Sequence, residues 1–436
     1  MNSKRKNLIK YVLPAILSNC SFYLLTIVDG IFVGNGVGTD ALGAINIAFP
    51  FIMIVGALFT LMTIGGVTVA AIRLGRGDTA GANQAFMHAL TGTVVIAAVL
   101  CAVGLFCTDT LAKLLGANDT FHDMVVDYLF WYAAFTIPCG LLTALSGFCR
   151  NDGAPLRASA AAIVCTVCNI FGDWLLIFPL KMGVAGAAIA SGVSQAVAML
   201  LVLAHFLCRR GRLRITAFRF QPALLRKLLG RGTPEMVSQF ATPVMTLTLN
   251  RVLLAYLGDT AVNAFSIIGY VTSLFYSILF GTAGGLQPLF GQSYGAKDLD
   301  GLRFYFRRGI LINLCGSALT FVLTLFIGGP VSRLFGADPA AYTATIEAMP
   351  KFSVSFLFSS MSIIISSYLY STKRTQYALT MNILRGLVFN TASILLLPAL
   401  FGSGVIWYTV SVAEALSLAA GVLLLRRSER NGIEFH

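Results

Sequence analysis

Long apolar runs separated by short polar turns fill the chain, and there are twelve of them. They lie near residues 12–35, 43–72, 86–107, 125–148, 159–180 and 183–207, then near 233–257, 261–292, 309–328, 343–370, 377–399 and 403–425. A helix needs about 20 such residues to cross ~30 Å of hydrocarbon, so each run predicts one spanning helix. Two of the runs are long enough to require tilt. Membrane β-strands would alternate apolar and polar over about ten residues, a pattern these runs lack.

Composition agrees with a bilayer as solvent. Hydrophobic residues make up 57% of the 436 and charged residues 11%, with mean hydropathy +0.81, whereas soluble domains carry about 25% charge. The net charge of +13 would point to nucleic acid in a soluble protein. Here the 31 Lys and Arg gather at the amino terminus, in every second loop and at the carboxyl tail. Lys113, Lys181, Arg333 and, within the outer end of the tenth run, Lys351 fall on the other side, and Arg251 and Arg385 fall deeper inside spans. By the positive-inside rule this predicts both termini in the cytoplasm. The charge marks topology and not a nucleic-acid partner.

The densest basic stretch, "RRGRLRITAFRF" at 209–220 with Arg226, Lys227 and Arg231, joins spans 6 and 7. It reads as a cytoplasmic linker lying on anionic lipid. The predicted organisation is an amino-terminal lobe over 1–208 with spans 1–6, a basic linker over 209–232, and a carboxyl-terminal lobe over 233–436 with spans 7–12 and a short tail. Basic residues precede the first apolar run as in a signal peptide, yet the run continues past 30 without a small-residue cleavage site, so it is expected to stay as the first span. The nine cysteines lie in or beside spans and suggest no disulfide framework. Cys165 and Cys168 lack a second pair or nearby histidines, and read as small buried side chains.

Shifted by 220 residues, the sequence meets itself. Pro14 meets Pro234, Ala41 meets Ala261, and Ala44 meets Ala264. The turn "LGRGD" (Gly75, Asp78) meets "YGAKD" (Gly295, Asp298), and "LLGA" at 114 meets "LFGA" at 334. Gly65 and Gly66 meet Gly284 and Gly285 at 219. An even number of spans per repeat makes the two halves parallel, related about an axis along the membrane normal. The expected fold is an all-α polytopic membrane protein with twelve transmembrane helices in two parallel six-helix repeats. Such a pair of bundles encloses a cavity that rocking exposes to either face, so transport leads over a channel.

An ionisable group at bilayer depth costs roughly 2.5–3.5 kcal/mol and needs a partner or a function. Asp29 follows Lys10 by about 28 Å of helix at ~1.5 Å per residue, and Asp173 stands at a similar depth above Arg157 in span 5. Asn169, four residues before Asp173, shares its helix face. No Lys or Arg within the first-half spans can neutralise these carboxyls. Desolvation drives such groups toward their neutral form, and two together resist joint ionisation. A proton or sodium site has these properties, because hard cations take oxygen ligands. At the repeat offset Asp29 falls on Leu249, beside Asn250, and Asp173 falls on Ser393, while Asn390 stands near the counterpart of Asn169. The ionisable site is therefore expected in the amino-terminal lobe alone.

Glu414 in span 12 and Arg385 in span 11 reach one depth and read as a structural ion pair. Arg251 near the outer end of span 7 snorkels or faces a cavity, and Glu235 after Pro234 suits a helix amino terminus. Asn19, Asn46, Gln239, Asn250 and Gln287 are candidates to line a substrate cavity, or else bond between helices. The 32 phenylalanines suit flat, amphipathic or cationic molecules, though most must face lipid or other helices. No H-E-x-x-H or phosphate-loop motif is present, and "GNGVG" at 34 has no strand before it, so neither an enzyme nor a nucleotide-driven pump is indicated. No cofactor is expected.

The "VDGIFVG" stretch after Pro14, the paired "GGVTVAAIRLGRGD" and "GGLQPLFGQSYGAKD" segments, and "NIFGD" in span 5 resemble the multidrug and toxic compound extrusion (MATE) family, in particular its DinF-like bacterial branch. The likeness covers essentially the whole chain. It implies export of organic, often cationic, small molecules in exchange for H⁺ or Na⁺, by a chain working as a monomer in the bacterial inner membrane. It also implies a cation site on Asp29, Asn169 and Asp173, which would be the metal ligands if Na⁺ is the ion. The NorM-type branch carries acids within spans 7 and 10; here those spans hold only Glu235 and Glu347 near their ends. A flippase for lipid-linked saccharides, of the same superfamily, is the rival reading, but it calls for a cationic cavity.

Overall fold

The computed structural model describes residues 2–117, 121–334 and 339–430. Helix is the only regular structure among them. In chain order the helices are α1 (Asn2–Gly36), α2 (Thr39–Gly75), α3 (Thr79–Phe106), the short α4 (Thr108–Leu114), α5 (His122–Ala134), α6 (Thr136–Asn151), α7 (Pro155–Ile177) and α8 (Gly183–Leu207). The second repeat supplies α9 (Pro222–Leu257), α10 (Asp259–Gly295), α11 (Leu299–Leu334), α12 (Pro339–Ser353), α13 (Ser355–Ser371), α14 (Thr375–Ile383), α15 (Asn390–Phe401) and α16 (Thr409–Arg430). Eleven stretches are long and apolar enough to cross a membrane, and the bent pair α5–α6 makes twelve.

The helices outrun the apolar stretches that predict them. Helix α1 begins at Asn2 and not near 12, because hydropathy marks where lipid is tolerated while backbone hydrogen bonding continues through the basic first turns. The fourth span, expected as one helix over 125–148, bends by 50° between α5 and α6. Pro138 explains the position: it has no N–H to donate, and its ring crowds the carbonyl four residues earlier, at Ala134, where α5 stops. The matching span of the second repeat is interrupted at Val354, between α12 and α13. Span 12 opens with a 3₁₀ segment, Ser403–Tyr408, before α16.

The repeated turns have a local cause. Gly77 takes φ +80° and Lys297 takes φ +58°, and each is followed by an aspartate that caps the next helix. Asp78 accepts from the Gly81 amide and Asp298 from the Gly301 amide, both at 2.8 Å. The second pair is joined by Lys4, whose Nζ lies 3.0 Å from the Asp298 carboxylate. Of the other repeat landmarks, residues 335–337 of "LFGA" lie outside the described residues, as do 431–436 of the tail.

The chain divides into two compact units, Leu17–Met236 and a second made of Met1–Ile16 with Val237–His436. The dividing points fall inside α1 and α9, two residues beyond Pro14 and Pro234. Each unit thus takes in the first turns of the other repeat's leading helix. The amino-terminal unit has two apolar cores, one around Phe86, Phe148, Phe206 and Leu228 and one around Val33, Phe59, Leu129 and Ile177. The second unit is built around Leu253, Phe265, Phe352, Phe356 and Ile394.

Gly65 and Gly285, which pair at the general offset of 220 and not at 219, let these borrowed turns approach closely. A Cβ on Gly65 would overlap the Leu228 carbonyl of α9, and one on Gly285 would come 2.7 Å from Val12 Cα of α1. Backbone cannot yield as a side chain can. Gly65→Leu is therefore expected to cost at least ~1–3 kcal/mol through overpacking. The matched control is Gly269→Leu, which meets nothing within 4 Å. Thermal unfolding in detergent should separate the two variants; equal melting would show that the contact at Gly65 carries no constraint.

Candidate functional site

The amino-terminal unit brings together Asp29 of α1 with Asn169 and Asp173 of α7. Helix α7 starts with Pro155 in its first turn, where a missing N–H costs nothing. It then runs without a break, so Asn169 and Asp173 fall one turn apart on its buried face, each 0% exposed. The Asp29 and Asp173 side chains lie within hydrogen-bonding reach of one another. The amide orientation of Asn169 that satisfies both of its ends has Nδ2 donating to Asp173 Oδ2 at 3.0 Å. Its Oδ1 then accepts from the Ser191 amide at 3.2 Å and the Ser191 hydroxyl at 3.0 Å.

Two oxygens are left over. Asp29 Oδ1 and Asp173 Oδ1 are both buried without a hydrogen-bond partner. Among the described residues neither carboxylate forms an ion pair with Lys, Arg or His. Carboxyls in such contact cannot both remain charged without a cation between them, since desolvation and mutual repulsion act together. The arrangement can hold a proton shared by the pair, or a small hard cation on oxygen ligands.

Two residues at this site were not singled out in the sequence. Ser191 of α8 holds the Asn169 amide, and serines in spanning helices are too common to stand out. Tyr128 of α5 is buried and close enough to feel the charge of both aspartates, and its ring stacks at 6.4 Å on Tyr132. A phenol in an apolar run carries a polar tip that needs a partner, which was the one available signal. Val33, Ile177, Val184 and Ala187 supply apolar packing in the same core.

The other candidates are distributed as follows. Asn19 and Asn46 belong to the amino-terminal unit, Asn46 being exposed. Gln239, Asn250 and Gln287 belong to the second unit. Asn19, Gln239, Gln287 and Glu235 all have partners of their own. Asn250 Oδ1 is buried without one, and Asn250 and Arg251 border a cleft of about 270 Å³ with Leu254, Val262 and Asn263. All nine cysteines are free, and Cys165 Sγ donates to Ser194 Oγ at 3.6 Å.

In the second unit Arg385 Nε donates to both carboxylate oxygens of Glu414, at 3.1 and 2.9 Å. Tyr276 stands close enough to feel the charge of both partners, and its hydroxyl lies 3.0 Å from that of Ser359. Arg385 stands in a π-helical turn, Leu384–Phe389, between α14 and α15. At the repeat offset of 220, Arg385 and Glu414 correspond to Cys165 and Ser194. Asn390 stands one position past the counterpart of Asn169, directly after the π turn. Asn390 Nδ2 donates to the Arg385 carbonyl at 2.7 Å. Leu249 is buried in apolar contacts where Asp29 would stand.

The chain is 23% identical over 426 residues to the multidrug export protein MepA of Staphylococcus saprophyticus, covering 96% of this chain and 93% of that one. It is 25% identical over 342 residues to the FAD transporter of Shewanella oneidensis, covering 76% and 74%. Its fold matches a solved multidrug resistance MATE family transporter of the MOP superfamily in an outward-facing conformation. That match has TM-score 0.93 at 22% identity, over 99% of this chain and 97% of the other. The MatE family is found twice, over residues 14–175 and 234–395, two stretches set 220 residues apart from end to end, and with this the chain belongs to the MatE family of multidrug and toxic compound extrusion transporters.

Proposed function

We propose that this chain is a secondary antiporter that exports organic, cationic or amphipathic compounds in exchange for H⁺ or Na⁺ by alternating access. One observation carries the reading: a buried carboxyl pair, Asp29 with Asp173, has two unpartnered oxygens and, among the described residues, no ion pair with a basic side chain. Nothing in apolar packing rewards such a pair, so an incoming cation must be what it serves. With both groups ionised the cytoplasmic side loads substrate. Cation arrival from outside neutralises the pair, changes the packing of α1, and favours release. The ion does this only through different affinities for the two states.

Hydrogen-bonding reach between the two carboxyls suits a shared proton first. The carboxylate oxygens of Asp29 and Asp173 also suit Na⁺, with the Asn169 amide, held by Ser191, donating to Asp173 beside them. The relatives supply the substrate class: MepA is named for multidrug export. We place the basic face, with both termini, in the cytoplasm of a bacterial cell. The saccharide-lipid flippase reading needs cationic groups facing a central cavity. Of the two span-borne arginines, Arg385 is already engaged by Glu414, which leaves that reading weaker.

Proteoliposomes preloaded with an organic cation provide the test, with a pH gradient or a Na⁺ gradient imposed separately. Export is expected under one gradient, with the proton gradient favoured. Equal rates with either gradient and with none would overturn coupling altogether.

A further inference from the structure

We propose that the extended segment 209–221 and the turn between α2 and α3 form a seat for the phosphate headgroup of an anionic phospholipid. The segment is not a loose connector. Asp152 Oδ1 accepts from the Arg212 and Leu213 amides at 2.7 and 2.9 Å, and Asn83 Oδ1 accepts from the Arg214 amide at 2.9 Å. Gln84 Nε2 donates to the Ala217 carbonyl at 3.2 Å, and the Gln221 amide donates to His88 Nε2 at 2.8 Å.

All of these tethers grip the backbone. Apart from buried Leu213, the side chains are therefore displayed outward in a fixed order. Arg210, Arg212, Arg214 and Arg219 are exposed, and between them Ile215, Phe218 and Phe220 are 43%, 41% and 63% exposed. Cations and large apolar groups interleave on one strip between the end of α8 and the start of α9, where the spans leave the hydrocarbon. Phe218 and Phe220 lay part of their rings against His88, at 4.9 and 6.2 Å between centroids, and a soluble anion would use the arginines but leave the exposed remainder of those rings in water. A lipid uses both, through its phosphate and its upper acyl chain.

The strip borders a cavity of about 430 Å³ whose walls include Arg73, Arg219, Gln84 and Gln221. Arg73 is fixed in place, since its Nη1 donates to the Gly81 carbonyl at 2.6 Å. Asp78 also lines the cavity: its Oδ1 accepts from the Gly81 amide as the cap of α3, and its Oδ2 lies 4.0 Å from Arg73 Nε, so Arg73 already has a carboxylate partner. Arg219 is exposed and is the residue placed to grip a phosphate.

The test uses the full-length protein, stripped of lipid in detergent and titrated with dioleoyl phosphatidylglycerol or dioleoyl phosphatidylcholine under native mass spectrometry. The anionic lipid is expected to bind at least about fivefold more tightly, the factor carried by one basic residue at a charged surface. Arg219→Gln should remove that preference while Arg219→Lys keeps most of it, and Phe218→Ser with Phe220→Ser should weaken both lipids. Equal binding of the two lipids, or an unchanged preference in Arg219→Gln, would overturn the proposal. So would displacement of phosphatidylglycerol by millimolar inorganic phosphate alone, or retention of polyuridine or polyglutamate as tightly as the lipid.

Discussion

Asp29→Asn is expected to abolish gradient-driven export, a loss of about 100-fold that leaves only passive leak, and Asp173→Asn to do the same. An amide keeps the size of the carboxyl and can still donate a hydrogen bond to the remaining aspartate, so the packing of α1 on α7 survives. The pair can no longer exchange charge for an incoming cation. Folding should hold or improve, because a buried carboxyl without a basic partner is a burden that the amide relieves. Exchange of labelled for unlabelled substrate without any gradient separates the effects: it should persist in both variants while gradient-driven efflux disappears. Asp127→Asn on exposed α5 surface serves as the control and should export normally. Retained gradient dependence in Asp29→Asn would remove the carboxyl pair from the coupling step.

The two repeats and the span pattern were legible because each leaves a period in the sequence, and Asp29, Asn169 and Asp173 because charge inside apolar runs is rare. What stayed hidden was set by backbone geometry and by neighbours distant in sequence. Pro138 was visible, yet nothing local fixed whether it would kink the span or be absorbed. The borrowing of α1 and α9 turns left only glycines as a trace, and Gly65 and Gly285 became meaningful once Leu228 and Val12 were placed against them. Ser191 and Tyr128 are ordinary residues made special by what they touch. The π turn at Arg385 left no mark in the sequence.

That turn sets the second large prediction. Glu414 and Arg385 are 5% and 14% exposed in their side chains, so removing one partner strands the other in a low-dielectric interior. Glu414→Leu is expected to cost ~3–5 kcal/mol, read as a fall in thermal or denaturant midpoint in detergent. The double variant Arg385→Met with Glu414→Leu fills the same space without charge and should recover most of that loss. The corresponding place in the first repeat already works this way, with the neutral Cys165–Ser194 contact standing where the ion pair does. If the pair only ties the π turn to α16, the double variant should export as the wild type does. A stable double variant that no longer exports would instead make the second unit's charge pair a participant in transport, and the coupling site of the first unit would no longer be sufficient by itself.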